Sequence, residues 1–120
     1  MKTLVIGASE NAFRYSFRAI KSLRNHGHEV IAIAAKSGQI DDVVFETNKR
    51  FHPEIHTVTL YINPAIQKDY EDYIISLAPQ RVIFNPGSEN SSFADKLKQN
   101  AIQPVIACTL VMLNTNQYDM

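Results

Sequence analysis

The stretch Leu4-Val5-Ile6-Gly7-Ala8-Ser9 decides the fold prediction. Its first three residues are apolar and partly β-branched, with no polar residue between them, which is typical of a strand buried on both faces. After the glycine, apolar residues recur at steps of three and four residues, as in an amphipathic helix, at Phe13, Phe17, Ile20 and Leu23. We therefore expect a strand, a turn at Gly7 and a helix that ends near residues 25–27, where asparagine and glycine tolerate a left-handed helix cap.

The alternation of strand and helix continues along the chain. Apolar and β-branched runs predict four further strands, at residues 29–35, 57–62, 81–84 and 104–107. Residues 37–56 carry no single period, so we expect an irregular connection there, with a short strand at 43–45. Residues 109–113 form a last short helix or an extended segment. The tail, residues 114–120, has little to bury.

Two more helices are predicted between these strands. The first opens at Asn63-Pro64, a cap followed by a first-turn proline, and one of its faces carries Ile66, Tyr70, Tyr73, Ile74 and Leu77. The second is capped by Ser91 or Ser92, and its inward positions are Phe93, Leu97 and Ala101.

Strands that alternate with helices indicate a parallel sheet with helices on both sides, because parallel neighbours need crossover connections. With right-handed crossovers, we expect the five strands in the Rossmann-like order 3-2-1-4-5. The prediction is an α/β, three-layer, Rossmann-like domain over residues 1–120, with a five-stranded parallel sheet. A ligand of such a sheet lies beyond the carboxyl ends of its strands.

The composition argues against several classes of protein. The 120 residues include 12 Lys plus Arg and 12 Asp plus Glu, so the formal net charge is zero and gives no basic excess for nucleic acid or a membrane surface. No apolar stretch approaches the ~20 residues that cross a bilayer. The single cysteine, Cys108, forms neither an internal disulfide nor a two-cysteine metal motif, which favours a reducing compartment. We therefore expect a cytoplasmic protein.

The turn after the first strand is the strongest local signal of chemistry. The backbone amides of Gly7-Ala8-Ser9 and the positive end of the following helix suit a pyrophosphate. The Ser9 hydroxyl can donate to a phosphate oxygen or cap the helix. Arg14 lies near the first helical turn and can add a charge-assisted contact. Because the full GxGxxG pattern is absent, a purely structural turn and a solvated Arg14 are the alternatives.

The end of the second strand distinguishes between nucleotide ligands. NAD-binding domains place an acidic residue there for the ribose hydroxyls, but this chain has Ala34-Ala35-Lys36. A lysine favours a phosphorylated ribose, which occurs both in NADP and in the 3′-phospho-ADP part of coenzyme A. Periodicity and charge leave these two ligands open, together with a solvated Lys36 that has no ligand.

Several motifs, in order along the chain, resemble those of a known family. They are Gly7-Ala8-Ser9, Arg14-Tyr15-Ser16, Gly27-His28-Glu29-Val30, Thr57-Val58-Thr59-Leu60-Tyr61, Ile83-Phe84-Asn85-Pro86-Gly87-Ser88-Glu89-Asn90 and Ala107-Cys108-Thr109-Leu110-Val111-Met112-Leu113. The series is similar to small stand-alone CoA-binding proteins and to the CoA-binding domain of succinyl-CoA synthetase alpha subunits. The resemblance covers nearly the whole chain and implies a Rossmann-like fold that binds coenzyme A or an acyl-CoA.

The resemblance also implies which residues contact the ligand. Those of the phosphate-binding turn, its neighbours and the end of strand two are Gly7, Ala8, Ser9, Arg14, Tyr15 and Lys36. Those of the loops that border the adenine and pantetheine path are Asn63, Pro64, Asn85, Pro86 and Gly87. The chain departs from the family pattern at Ala12 and Ala35, where proline is usual.

Catalysis has less support than binding. The phosphorylated histidine of the fused synthetases and their second nucleotide-binding part have no counterpart here. His26, His28 and His56 are expected at the sheet edge opposite the ligand as polar or capping residues, and no metal site is predicted. Cys108 is expected on the ligand side, chiefly as a packed residue, and Glu89 is a single carboxylate without a paired base.

The sequence therefore predicts a protein that binds coenzyme A or an acyl-CoA, with no catalytic residue assigned. One alternative is an NADP-dependent reductase fragment, although no YxxxK motif is visible. The other is a ligand-sensing subunit that acts through a protein partner.

Overall fold

Strands and helices alternate along residues 1–119, the part of the chain that the computed structural model describes. The elements are β1 (Thr3–Ile6), α1 (Tyr15–Asn25), β2 (Val30–Ile33), β3 (Gln39–Ile40), β4 (Val43–Val44), β5 (Thr57–Leu60), α2 (Pro64–Gln67), α3 (Glu71–Leu77), β6 (Arg81–Phe84), α4 (Ser91–Gln99), β7 (Gln103–Ile106) and α5 (Thr109–Asn114).

Five strands form one parallel sheet in the order β2-β1-β5-β6-β7. The three central strands are buried at every position, which agrees with their continuous Val, Ile, Leu and Thr content. The predicted α/β fold with a five-stranded parallel sheet and a Rossmann-like arrangement is confirmed.

The place of one strand differs from the prediction. Counted over the five sheet strands, the order is 2-1-3-4-5 and not 3-2-1-4-5, because β5 pairs with β1 and does not lie outside β2. Glu46, two residues after the β3–β4 hairpin, pairs with the outer side of β2. Glu46 N donates to Ala32 O at 2.9 Å, and Ala34 N donates to Glu46 O at 2.9 Å. Strand order consequently reverses between β1 and β5, which places the ligand crevice at their carboxyl ends.

Helices cover both faces of the sheet, so the three-layer prediction is confirmed. On one face, α3 and α4 contribute Ile74, Leu77, Phe93 and Leu97 to the core. On the other face, α1 and α5 contribute Ile20, Leu23 and Leu113. Burial of each of these side chains contributes about 1.5–3 kcal/mol before the cost in conformational entropy.

The boundaries of the first two predicted helices need correction. Phe13 precedes α1 and is 87% exposed, so it does not belong to the buried helical face. The helix expected from Asn63 onward is divided into α2 and α3, and Ile66 is exposed. The break follows Gln67, whose side chain is fully buried and donates to the backbone oxygens of Ile62 and Ser88 at 2.8 and 2.7 Å.

The third predicted helix begins and ends differently from the prediction. Its N-cap is Asn90, whose Oδ1 accepts a hydrogen bond from Phe93 N at 3.2 Å, and not Ser91 or Ser92. Ala101 lies beyond α4, is exposed and has a positive φ of 60°, so it does not contribute to the core.

The tail is anchored, contrary to the prediction that it buries little. Tyr118 is 2% exposed, and its hydroxyl lies 2.6 Å from Thr3 Oγ1. The Arg81 guanidinium lies 4.6 Å from the centre of the Tyr118 ring and donates to its backbone oxygen at 2.7 Å. A single aromatic side chain thus fixes residues after α5 to the amino ends of β1 and β6. No helix among residues 1–119 is long and apolar enough to cross a membrane.

Candidate functional site

A cavity of about 920 Å³ lies at the carboxyl ends of β1, β2, β5 and β6. Its volume falls within the range of cofactor sites, about 300–1,000 Å³. Nine of the residues predicted to contact a ligand line it, namely Gly7, Ala8, Ser9, Arg14, Tyr15, Lys36, Asn63, Pro86 and Gly87. The structure therefore brings together residues that are up to 80 positions apart in the sequence.

Pro64 and Asn85 are not among the lining residues. Asn85 is 2% exposed, and its Nδ2 donates to Thr59 Oγ1 at 2.6 Å and to Leu60 O at 2.9 Å. Its Oδ1 accepts a hydrogen bond from Thr109 N at 2.9 Å. Asn85 thus joins the ends of β5, β6 and α5, and it fixes the loop that carries Pro86 into the cavity wall.

Gly7 is required by a close approach of two loops. Its φ is +98°, and a Cβ atom at this position would lie 2.7 Å from Tyr61 O. No Cβ tolerates this distance from a backbone atom, so any other residue would separate the ends of β1 and β5. The predicted tight turn at Gly7 therefore sets the shape of the cavity floor.

The first two backbone amides of the turn donate hydrogen bonds within the protein. Gly7 N and Ala8 N both donate to Ile33 O at 3.0 Å, which ties the end of β1 to β2. Ser9 Oγ accepts a hydrogen bond from Asn11 N at 3.1 Å, so Ser9 shapes the loop and does not cap α1. These two amides are therefore occupied within the protein, and the helix begins later than the sequence pattern indicates; phosphate binding at this turn stays a prediction.

The amino end of α1 supplies the positive pole of the cavity. Arg14 is the N-cap residue, its side chain makes no capping hydrogen bond, and the first turn holds no acidic residue. Arg14, Tyr15 and Ser16 all line the cavity. A helix terminus with free N–H groups, beside a guanidinium and without a carboxylate, favours an anion.

Part of the cavity wall is apolar and aromatic. Phe45, Ile62, Ile66 and Tyr70 contribute to this wall, and Tyr15 is 65% exposed next to the helix terminus. Covering exposed apolar side chains in a cavity with a ligand removes their surface from water, which favours binding. The arrangement suits a ligand that has both an anionic part and a flat or aliphatic part.

Lys36 and Glu10 stand at the rim formed by the loop after β2. Lys36 is exposed, lines the cavity and forms no ion pair with any residue from 1 to 119. Glu10 also lines the cavity, and its Oε2 accepts a hydrogen bond from Gln39 N at 2.9 Å. The sequence pattern does not single out Glu10. Its place in the cavity depends on a contact between the β1–α1 loop and the loop after β2, and these loops are distant in the sequence.

Tyr61, Glu89 and Cys108 do not form an acid–base pair at the cavity. Burial raises the pKa of the Tyr61 hydroxyl, which stays protonated and makes no hydrogen bond within the described chain. Glu89 Oε1 accepts a hydrogen bond from Gly87 N at 2.7 Å and shapes the loop. Cys108 is the N-cap residue of α5 and does not line the cavity. Residues 1–119 contain no cluster of three metal-ligating side chains.

His26, His28 and His56 lie away from the cavity, as the sequence predicts, and His52 does not line it either. His28 lies two residues before β2 and His56 directly before β5, and neither lines the cavity. His26 follows α1, where its Nδ1 lies 2.7 Å from Ser22 O. His52 Nε2 lies 2.9 Å from a carboxylate oxygen of Glu46.

The model of the CoA binding domain family matches residues 1–114. The chain belongs to this family. The resemblance inferred from the sequence motifs is thus confirmed, and the match covers β1 to α5 and with them the whole cavity.

Solved structures show the same fold as this CoA-binding domain. A structure described only as an uncharacterized protein is 44% identical, with a TM-score of 0.95, and the match covers 98% of this chain and 97% of that one. A hypothetical protein from Pyrococcus horikoshii OT3 is 20% identical, with a TM-score of 0.86 and coverage of 95% and 82%. A protein from Thermus thermophilus is 18% identical, with a TM-score of 0.84 and coverage of 98% and 90%. The last two show the fold alone. The comparison with curated proteins finds no match.

Proposed function

We propose that this protein binds coenzyme A or an acyl-CoA in the cavity at the carboxyl ends of β1, β2, β5 and β6. The observation that carries the proposal is the uncapped, positively charged amino end of α1, which opens into a cofactor-sized cavity in a member of the CoA binding domain family. The thiol of coenzyme A carries acyl groups as thioesters. The phosphate groups and the apolar parts of the ligand are assigned to different parts of the wall.

The pyrophosphate of the ligand is assigned to the amino end of α1. The free N–H groups of the first turn and the Arg14 guanidinium supply hydrogen bonds and positive charge. Ser9 and Ser16 line the same part of the cavity and add hydroxyl donors. This assignment moves the phosphate site from the amides of Gly7 and Ala8 to the helix that follows them.

The 3′-phosphate is assigned to Lys36. This side chain is exposed at the cavity rim and has no carboxylate partner in the described chain, so it is available for a ligand phosphate. Glu10, the one acid in the cavity wall, is engaged by Gln39 N. Lys36 therefore favours coenzyme A over NAD, whose adenosine ribose carries no 2′- or 3′-phosphate.

The remaining parts of the ligand are assigned to the apolar wall and to the loop after β6. The adenine or the pantetheine chain covers Ile62, Ile66 and Tyr70, while Pro86 and Gly87 border its path. Since no acid–base pair faces this path, the proposed role is binding, and a reaction or signal would need a protein partner.

The test compares coenzyme A with 3′-dephospho-CoA on wild type and on Lys36→Ala. Calorimetric titration should show that the substitution weakens the binding of coenzyme A by about 0.5–2 kcal/mol and leaves the binding of 3′-dephospho-CoA unchanged. Only coenzyme A has the 3′-phosphate that loses its opposite charge. The matched control is Lys98→Ala, which removes an exposed lysine from α4, outside the cavity.

Two outcomes would contradict the proposal. Equal weakening of both ligands would show that Lys36 acts on the fold or on the pyrophosphate, since the double difference cancels general damage. Tighter binding of NADP than of coenzyme A would favour the reductase alternative instead.

A further inference from the structure

A second, smaller cavity lies at the opposite edge of the sheet. Its volume is about 300 Å³, and its polar lining residues are His56, Gln80, Arg81, Gln103 and Gln117. Four of these residues begin or precede β5, β6 and β7, at the amino ends of the strands, whereas the coenzyme A cavity lies at the carboxyl edge of the sheet. The two cavities are thus separated by the length of the sheet. A volume of this size is ample for a small ion.

Arg81 is the buried charge of this second cavity. The residue is only 6% exposed. Its Nε donates to Thr57 Oγ1 at 2.8 Å and its Nη2 to Tyr118 O at 2.7 Å. A guanidinium has five N–H donors, so these two bonds leave three, including both on Nη1, without a hydrogen bond to the described residues.

The charge of Arg81 lacks a counter-ion in the described chain. Both of its acceptors are neutral, and no Asp or Glu of residues 1–119 lies within 4.0 Å of its guanidinium. A buried cation without an anion is strongly unfavourable. Burial and Arg81 lower the pKa of His56, which therefore adds little positive charge at neutral pH.

The other polar side chains of the cavity complete a recognition site for an anion. The amides of Gln103 and Gln117 make no side-chain hydrogen bond within residues 1–119, so their N–H groups are available. Among residues 1–119, the polar lining contains no carboxylate. We propose that this cavity binds a small oxyanion, a phosphate or a carboxylate, between Arg81 and these glutamine amides.

The experiment is a titration with inorganic phosphate at constant ionic strength, with chloride as the balancing anion, followed by amide resonances in ¹H–¹⁵N spectra. We expect saturable shifts at Gln80, Arg81 and Gln103. Shifts at Tyr15 and Ser16 report separately on phosphate in the coenzyme A cavity, so the two sites are distinguished by residue.

The test variant is Gln103→Glu, which places a carboxylate beside Arg81 at an exposed position. Phosphate affinity at this cavity should fall about tenfold, because the new charge repels the anion and neutralises the guanidinium. Gln99→Glu adds the same charge on α4, outside the cavity, and should leave the affinity unchanged. Neither variant removes a contact that Arg81 makes in the fold, whereas Arg81→Met would also release Thr57 and Tyr118.

Three results would overturn the proposal. One is shifts that grow linearly with phosphate and never saturate. Another is equal affinity of the Gln103→Glu and Gln99→Glu proteins. The third is no shift at all in the wild type.

Discussion

Substitution of Gly7 by alanine tests the contact that shapes the floor of the cavity proposed for coenzyme A. Two costs add at this position. A φ of +98° costs an L-residue about 1–2 kcal/mol. The new Cβ, 2.7 Å from Tyr61 O, forces β1 and β5 apart at a cost of about 1–3 kcal/mol. Alanine also reduces the entropy of the unfolded chain, which returns about 0.4–1 kcal/mol. The expected loss of stability is therefore about 1–5 kcal/mol.

Two other glycines serve as controls, because they separate the backbone cost from the contact. Gly27 and Gly87 have φ values of +81° and +93°, but a Cβ at either position would meet no atom within 4 Å. Gly27→Ala and Gly87→Ala should therefore cost about 1 kcal/mol or less. Urea unfolding, with the midpoint and slope fitted together, measures all three variants. Equal losses at the three positions would refute the close approach of Gly7 to Tyr61.

Three further predictions address the ligand, the tail and the pH dependence. Ser9→Asp should weaken coenzyme A binding about tenfold in a titration. The control Ser9→Asn keeps the acceptor for Asn11 N without the charge and should not weaken binding. Equal affinities of the two variants would remove Ser9 from the site. Tyr118→Phe should cost about 1 kcal/mol in urea unfolding, because the hydroxyl bond to Thr3 is lost, and no change would contradict the anchored tail. Burial lowers the pKa of His28 and His56 below 6.5, so their contribution to stability is complete above that pH and is lost as the pH falls toward the lower folded values. Urea titrations should show a loss of stability below about pH 6.5 that is smaller in His28→Gln, and an identical loss in the variant would be inconsistent with this cause.

The sheet and its helices could be predicted from the sequence because burial on both faces leaves a local signature. The runs at Leu4–Ile6 in β1 and Arg81–Phe84 in β6 contain few polar residues. Gly7 is recognisable as a turn residue, and Asn63-Pro64 as a helix cap followed by a first-turn proline, from the residue types alone. Lys36 could also be placed at the cavity rim from the sequence, because it comes directly after the predicted second strand, whose carboxyl end faces the ligand.

The rest depends on contacts between distant residues that no local pattern contains. Glu46 pairs with β2 on the side where the prediction placed β5, and this pairing rests on two backbone hydrogen bonds. The late start of α1 depends on the loop held by Ser9 and by Glu10 with Gln39. Burial of Tyr118 requires Arg81 from another strand. Periodicity reports only which face of an element is buried, so it could not reveal these arrangements.

The most direct measurement of the central claim is equilibrium dialysis of the protein against labelled coenzyme A, with NAD, NADP and 3′-dephospho-CoA as competitors. We predict saturable binding of one coenzyme A per chain. Competition should be weaker from 3′-dephospho-CoA than from unlabelled coenzyme A, and weakest from NAD, which lacks the phosphate assigned to Lys36. No retention of coenzyme A, or displacement by NAD at the same concentration as unlabelled coenzyme A, would contradict the account.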